Sequence, residues 1–291
     1  MFKKGLAIFV AMFVLCTGFF ALKPVQAATS VTKYVTATTL NVRSGPGTTY
    51  KIITTVKKYQ AVTVSETRGS WDKITVGSTT GWASNQYLTT KNMAEGLKTV
   101  GNNKQLILVT ANGYNTSNAE IRTFERNSLG KWVPVLTTTG YIGKYGFATA
   151  ADMREGGKRS PIGKYSIGTT FGRYANPGTK MPYRKITSDD VWVDDPTSKL
   201  YNTWQSRSKT QGQWNSAENM NIAAYTYGFV INYNTQRTPY KGSAIFFHIG
   251  NGYTLGCTAT SQTNVVNILK WLDPNKNPVI IQTPIDELNK Y

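Results

Sequence analysis

The chain has 291 residues, of which 40% are hydrophobic, 12% aromatic and only 16% charged. This length suits two domains, the aromatic content excludes a disordered chain, and the low charge excludes a coiled coil. The net charge of +18 is spread along the chain rather than gathered in basic blocks. Diffuse charge argues against nucleic acid as a partner and suits a polyanionic cell wall or a membrane surface.

The N-terminus has the pattern of a secretory signal peptide. Lys3 and Lys4 precede an uncharged run from Gly5 to Leu22, and short residues follow up to Ala27. We therefore predict a signal peptide over residues 1–27, cleaved after Ala27. The alternative is an uncleaved membrane anchor, because the run of 18 residues lies at the lower limit for a spanning helix. The expected location is secreted and associated with the cell wall.

Residues 28–90 show short strand signals separated by turns, which predict a small β barrel. Ser44-Gly45-Pro46-Gly47 is a strong turn signal. The run from Thr39 to Gly47, together with Gly69-Ser70-Trp71 and Gly81-Trp82, resembles the bacterial SH3-like domain of cell-wall proteins. This resemblance implies a module that binds or targets peptidoglycan, although Trp71 and Trp82 are also typical of a barrel core.

Residues 91–104 are polar and contain two glycines, which indicates a linker, and residues 105–291 are predicted to form a second domain. Strand signals recur through that domain, at residues 105–110, 121–124, 132–135, 229–233, 244–249 and 278–281. Pro134 predicts an edge strand or a bulge. A helix is predicted after a cap at Thr260 or Ser261, with Asp273-Pro274 ending it. The predicted fold class is mainly β, with a small SH3-like barrel, a larger β-rich domain and few helices.

One cysteine and one histidine carry the candidate chemistry of the second domain. Once Cys16 leaves with the signal peptide, Cys257 is the single cysteine, and His248 is the single histidine, nine residues before it. The glycines between Gly250 and Gly256 allow the chain to fold back, so that a strand end and a helix start meet. There the helix N-terminus and an imidazolium would lower the pKa of the thiol. The thiolate would attack an acyl carbon, and His248 would protonate the leaving amine.

The backbone N–H groups of Leu255, Gly256 and Cys257 are the predicted oxyanion hole of this site. The alternative is a buried, inert cysteine beside a structural strand histidine. A serine hydrolase is disfavoured because the chain has no Gly-x-Ser-x-Gly elbow. A metal site is disfavoured because one histidine cannot supply the usual ligand set, and no cofactor is expected.

The segments Gly242–His248 and Thr254–Ala259 resemble the catalytic segment of the L,D-transpeptidases of the YkuD type, in the branch with a short His-to-Cys interval. A second motif of that family is similar to Ser160–Tyr165, and the likeness extends over residues 105–283. The resemblance implies Cys257 as nucleophile and His248 as base and acid. It also implies that a backbone carbonyl, here that of Ile249, orients the histidine.

Two positions depart from the family pattern. Leu255 stands where the family commonly has a histidine, and Ala259 stands where an arginine or asparagine often follows the nucleophile. The group that binds the substrate carboxylate is therefore open, with five candidate cations: Lys158, Arg159, Arg173, Arg184 and Lys185.

The resemblance implies an exported enzyme that acts on peptidoglycan stem peptides. It would release D-Ala, form 3→3 cross-links through a cysteine acyl-enzyme, and react with carbapenem-type covalent inhibitors. Several alternatives remain open. They are an L,D-carboxypeptidase, another cysteine peptidase of the cell wall, and a non-catalytic wall-binding protein. A sortase is disfavoured by its longer His-to-Cys interval, and an NlpC-type endopeptidase by its reversed order of cysteine and histidine.

Overall fold

The computed structural model describes residues 30–291, and the chain divides into two compact units between Thr89 and Thr90. The predicted signal peptide over residues 1–27 lies outside the described residues. Within residues 30–291, every helix is too short or too polar to cross a membrane. Both units are built mainly from strands, so the predicted mainly β fold class with few helices is confirmed.

In the described part of the first unit, residues 30–89, seven short strands form one sheet. They are β1 (Val31–Val35), β2 (Thr39–Arg43), β3 (Ile52–Lys57), β4 (Ala61–Arg68), β5 (Trp71–Val76), β6 (Thr79–Ser84) and β7 (Leu88–Thr89). Their order in the sheet is β3-β2-β6-β5-β4-β1-β7, and a 3-10 helix over Asn85–Tyr87 precedes β7. Side chains alternate between core and solvent along β2 and β4, as expected for strands with one buried face. The core is aliphatic and consists of Val35, Leu40, Val42, Val56, Val62, Val64, Ile74 and Ala83.

Close packing between Gly45 and Tyr50 shapes the predicted turn after β2. Arg43 donates hydrogen bonds to the carbonyl oxygens of Thr48 at 2.9 Å and Tyr50 at 2.8 Å. A Cβ atom at position 45 would lie 2.3 Å from the Tyr50 ring, so any larger residue there would displace that ring. The turn motif is therefore explained by a backbone loop that wraps around the Arg43 side chain.

The second unit contains the remaining fourteen strands, the two α-helices and four 3-10 helices. Its strands are β8 (Gln105–Ala111), β9 (Asn118–Arg126), β10 (Trp132–Tyr141), β11 (Phe147–Ala148), β12 (Ser160–Pro161), β13 (Gly163–Gly172), β14 (Tyr183–Lys185), β15 (Asp190–Val193), β16 (Thr203–Ser206), β17 (Ala217–Asn219), β18 (Tyr227–Ile231), β19 (Phe246–Ile249), β20 (Thr258–Thr260) and β21 (Val279–Pro284). Its helices are α1 (Arg207–Thr210), α2 (Gln262–Trp271) and the 3-10 segments Met93–Gly96, Ala223–Tyr225, Pro274–Lys276 and Ile285–Lys290.

A nine-stranded sheet dominates this unit, in the order β14-β13-β18-β19-β20-β10-β9-β8-β21. Strand β13 also pairs with β21, so the sheet closes on itself. A small sheet of β16, β15 and β17 stands apart from it. In β10, the register shifts between Pro134 and Leu136, which places the proline at a bulge as predicted.

Helix α2 covers one face of the closed sheet. Ser261 caps it by accepting a hydrogen bond from the backbone N–H of Asn264. Its buried residues Val265, Ile268 and Leu269 share one core cluster with Phe247 of β19. Phe246, the next residue back along β19, belongs instead to a separate cluster with Cys257. The strand therefore presents one face to α2 and the other to the candidate site.

Residues 91–104 differ from their prediction as a linker, because they are packed into the second unit. Asn92 caps the 3-10 helix Met93–Gly96 and also donates a 2.6 Å hydrogen bond to the carbonyl oxygen of Trp132. Glu95 accepts a hydrogen bond from the backbone N–H of Trp132 at 2.8 Å. Four apolar residues of the segment are buried: Met93, Ala94, Leu97 and Val100. The spacing of these four residues fits neither a helix nor a strand, so the sequence gives no signal of secondary structure in this polar segment.

Candidate active site

Strand pairing places Cys257 and His248 on the same face of the sheet. Strands β19 and β20 are parallel neighbours, with Phe247 opposite Thr258 and His248 opposite Ala259. Because side chains alternate along a strand, His248 points to the face opposite that of Phe247. Cys257 directly precedes Thr258, so it shares that face with His248. The fold-back predicted from the glycines between them is therefore present.

Cys257 does not lie at the start of a helix, in contrast to the prediction. Strand β20 (Thr258–Thr260) and the cap Ser261 separate it from α2. The influence of a helix dipole falls off within one turn of the helix end, so α2 cannot activate the thiol. The sequence prediction missed β20 because three residues before a strong helix cap give no separate strand signal.

The thiol of Cys257 is buried and hydrogen-bonded. Its Sγ atom accepts the backbone N–H of Phe246 at 3.3 Å and donates to the carbonyl oxygen of Ala244 at 3.2 Å. Burial raises the pKa of Cys257 far above its ordinary value, and the nearby charge of Glu218 raises it further. The lowered pKa expected from the sequence is therefore wrong for this state, in which Cys257 is a neutral thiol.

His248 is held in one orientation by its own strand. Its Nδ1 atom lies 2.9 Å from the carbonyl oxygen of Ile249, which is the contact predicted from the family resemblance. A carbonyl oxygen only accepts hydrogen bonds, so Nδ1 carries the proton and Nε2 of the neutral ring keeps a lone pair. Burial lowers the pKa of His248, which favours this neutral form. The ring can thus accept a proton from a neighbouring thiol.

The predicted oxyanion-hole residues lie on the loop that leads into Cys257. Leu255 is 70% exposed, whereas Gly256 is buried and donates its backbone N–H to the Thr254 hydroxyl at 3.1 Å. Gly256 has φ +150°, and a Cβ atom there would lie 3.2 Å from the carbonyl oxygen of Arg159. Glycine is thus required by the backbone itself, and the Gly256 N–H would have to leave Thr254 to bind an oxyanion.

Two hydroxyl groups hold the carbonyl groups of this loop. The Ser160 hydroxyl donates to the carbonyl oxygen of Gly256 at 2.6 Å and also lies 3.1 Å from the carbonyl oxygen of Cys257. It accepts a hydrogen bond from the backbone N–H of Gly143 at 2.9 Å. Thr254 also donates to the carbonyl oxygen of Cys257, at 2.6 Å. Ser160 and Thr254 both belong to motifs named in the sequence analysis, but nothing in the sequence indicates that their hydroxyl groups hold the nucleophile loop.

Two further side chains next to the thiol were missed by sequence reasoning. Tyr225 is buried, and its hydroxyl donates to the carboxylate of Glu218. Its ring meets that of His248 edge-on, with 5.3 Å between centroids. Both residues come from segments far from Cys257 in the chain, so only the tertiary structure reveals them.

Most of the predicted carboxylate-binding cations already have partners within the protein. Arg159 donates to the carbonyl oxygen of Phe147, Arg173 to the side chain of Asn221, and Arg184 to the carboxylate of Asp190.

A different cation, Lys144, lies beside the nucleophile loop. Its backbone N–H donates to the carbonyl oxygen of Thr254 at 2.9 Å. Its ammonium lies over the exposed rings of Tyr145, at 5.6 Å, and Tyr253, at 5.4 Å. The structure therefore adds an exposed cation near the site that the sequence analysis did not consider.

Comparisons with known proteins bear mainly on the first unit. Residues 38–89 match the family model of the bacterial SH3 domain, which confirms the SH3-like domain predicted within residues 28–90. None of the curated proteins matches this sequence.

Among solved structures, the chain is similar to the helical cell shape determining protein Pgp2 from Campylobacter jejuni. The identity is 14% and the TM-score 0.32, over 62% of this chain and 48% of that protein. A mutant form of the same protein gives 15% identity and a TM-score of 0.32, over 66% of this chain and 55% of the mutant. The alignment thus spans about half the length of these structures.

Proposed function

We propose that this protein is an exported peptidoglycan L,D-transpeptidase that acts through an acyl-enzyme on Cys257. The observation that carries the proposal is the shared sheet face of Cys257 and His248, with Nδ1 of the histidine bound to the Ile249 carbonyl. This arrangement leaves Nε2 as the basic atom on the face that holds the thiol. The family resemblance of the surrounding motifs supplies the reaction class.

In the first half-reaction, Sγ attacks the carbonyl of the L-centred diamino acid at position three of a tetrapeptide stem. The Sγ–H proton passes to Nε2 of His248 as the C–S bond forms. The buried thiol and imidazole therefore both stay neutral until the substrate reacts. The oxyanion that develops needs backbone N–H donors, for which the loop of Leu255, Gly256 and Cys257 is the candidate. Collapse of this intermediate breaks the C–N bond, and His248 returns the proton to the departing D-Ala amine.

In the second half-reaction, the amine of a neighbouring stem attacks the thioester and gives up a proton to His248. The C–S bond then breaks, His248 returns the proton from Nε2 to Sγ, and the new amide completes a 3→3 cross-link with the thiol restored. Water as acceptor would make the same site an L,D-carboxypeptidase. These steps use side chains and backbone N–H groups of this chain together with the two substrates.

The bacterial SH3 domain at residues 38–89 supports wall association of the enzyme. Residues 28–90 carry seven basic and two acidic side chains, which would attract wall polyanions. A chain that begins at Thr90 should therefore sediment less with purified sacculi than a chain that begins at Ala28. Equal sedimentation of the two would contradict a targeting role, and added salt should weaken the charge-driven part.

Incubation with purified tetrapeptide muropeptides, followed by mass analysis, tests the reaction itself. The expected products are free D-Ala and a 3→3 dimer. Release of D-Ala without dimer would identify an L,D-carboxypeptidase, and cleavage between the second and third stem residues would identify an endopeptidase. A protein that leaves the stems unchanged would contradict the proposal.

Carbapenem treatment followed by intact-mass spectrometry tests the nucleophile. The wild type should gain one adduct and Cys257→Ser none, because a hydroxyl is a far weaker nucleophile with the same base. His248→Ala should acylate much more slowly while remaining folded. An adduct that persists in Cys257→Ser would show that another residue is the nucleophile.

A further inference from the structure

Tyr225 lies between His248 and Cys257 but comes from a separate segment of the chain. It lies in the 3-10 segment Ala223–Tyr225, between β17 and β18, and its side chain is 3% exposed. Its ring packs edge-on against His248, at 5.3 Å, and against Phe246, also at 5.3 Å between centroids. Tyr225 and Cys257 belong to one buried core cluster, and the Tyr225 hydroxyl donates to Glu218. A hydrogen bond from this hydroxyl lowers the pKa of the Cys257 thiol against the larger effect of burial, which raises it.

Glu218 provides the opposing influence on the same thiol. Burial raises the pKa of Glu218 to about 7, with smaller contributions from Asp194 and Glu155, while the Tyr225 hydroxyl lowers it. In its charged form, Glu218 raises the pKa of Cys257. Near neutral pH the carboxyl is therefore divided between its protonated and charged forms, and each form has a different effect on the nucleophile.

We propose that the Tyr225 hydroxyl stabilises the Cys257 thiolate during the reaction and that Glu218 is the positioning residue that holds this hydroxyl beside it. At rest, the hydroxyl donates to the carboxylate of Glu218. When the Sγ proton has moved to Nε2 of His248, the same hydroxyl donates to the sulfur, and its own hydrogen stays on the phenol oxygen. This inference rests on the proposed function, since it assigns roles around the nucleophile named there.

The two side chains should shift thiol reactivity in opposite directions. Tyr225→Phe keeps the ring on His248 but removes a hydrogen bond to a developing charge, so alkylation of Cys257 should slow by about tenfold at neutral pH. Glu218→Gln keeps a side-chain oxygen that accepts the Tyr225 hydroxyl but removes a negative charge beside the thiol. Alkylation should therefore become faster, and its pH profile should move to lower pH. Damage to the fold alone would not move the two profiles in opposite directions.

The experiment measures iodoacetamide alkylation of Cys257 against pH, by intact mass, in the wild type and four variants. These are Tyr225→Phe, Glu218→Gln, the double variant and Tyr201→Phe. Tyr201 is the matched control, because it is a buried tyrosine whose hydroxyl donates to Glu155, and its bonded groups do not include Cys257. Its profile should coincide with that of the wild type. In the double variant, alkylation should be slower than in Glu218→Gln alone, since only the hydroxyl then differs.

Equal profiles for Tyr225→Phe and Tyr201→Phe would overturn the inference, as would slower alkylation in Glu218→Gln. Circular dichroism and thermal unfolding identify any variant that fails to fold, and the remaining variants still decide the sign of each effect. Alkylation requires no peptidoglycan. Opposite shifts in a protein that releases no D-Ala from stems would therefore support the inference and refute the proposed function.

Discussion

Replacement of Ser160 by alanine removes one hydroxyl that holds the backbone of the nucleophile loop. Ser160 is fully buried, donates to the carbonyl oxygen of Gly256 at 2.6 Å and accepts the backbone N–H of Gly143 at 2.9 Å. Both backbone groups are buried, and alanine offers neither of them a partner. The substitution therefore removes these two hydrogen bonds and the 3.1 Å contact with the carbonyl oxygen of Cys257. It leaves the Gly256 carbonyl and the Gly143 N–H unpaired, whereas the Cys257 carbonyl keeps the Thr254 hydroxyl.

The expected cost follows from these contacts. A buried polar group that loses its partner costs about 1–3 kcal/mol, so the loss of both partners should destabilise the second unit by about 2–6 kcal/mol. For a unit of this size, the midpoint of thermal unfolding should fall by roughly 5–25 °C. Carbapenem acylation should also slow, because the carbonyl groups of Gly256 and Cys257 lose the contact that fixes them relative to His248.

Thermal unfolding of the full chain and intact-mass kinetics of acylation measure the two effects. Ser166→Ala is the control, because Ser166 is exposed and accepts one hydrogen bond, from Asn232 at 2.9 Å. Its expected cost is below about 0.5 kcal/mol. If Ser160→Ala unfolds and acylates like this control, the reasoning that Ser160 supports the nucleophile is wrong.

Two more predictions concern the same site. Gly256→Ala places a side chain on a backbone with φ +150° and within 3.2 Å of a neighbouring carbonyl oxygen. In the same two assays, acylation should slow and the free energy of unfolding should fall by about 1–3 kcal/mol. The raised pKa of Glu218, about 7 against an ordinary 4.5, means that burial of its charge destabilises the fold as pH rises between these values. Glu218→Gln should remove this loss of stability, worth roughly 3 kcal/mol. In denaturant titrations from pH 4.5 to 7, the free energy of unfolding of the variant should therefore rise relative to that of the wild type. Parallel plots of this free energy against pH would contradict the prediction.

Sequence reasoning succeeded where the signal was local. Alternating residues indicate the strands around Leu40 and Val62, because a strand with one buried face needs that period. The Ser44–Gly47 turn and the Ser261 cap depend on neighbours in the chain, and the structure contains both. Cys257 and the single histidine, His248, are recognisable as a pair because the glycines between them allow the chain to fold back.

The tertiary structure decided what depends on distant residues. The segment at residues 91–104 looks like a linker until Trp132 provides partners for Asn92 and Glu95. The direction of the Cys257 pKa could not be predicted, since burial and the charge of Glu218 both arise from segments that meet only after folding. Tyr225 reaches the thiol for the same reason. Composition and spacing therefore determine which groups are present, whereas desolvation and electrostatics at the site depend on which distant groups the fold brings against them.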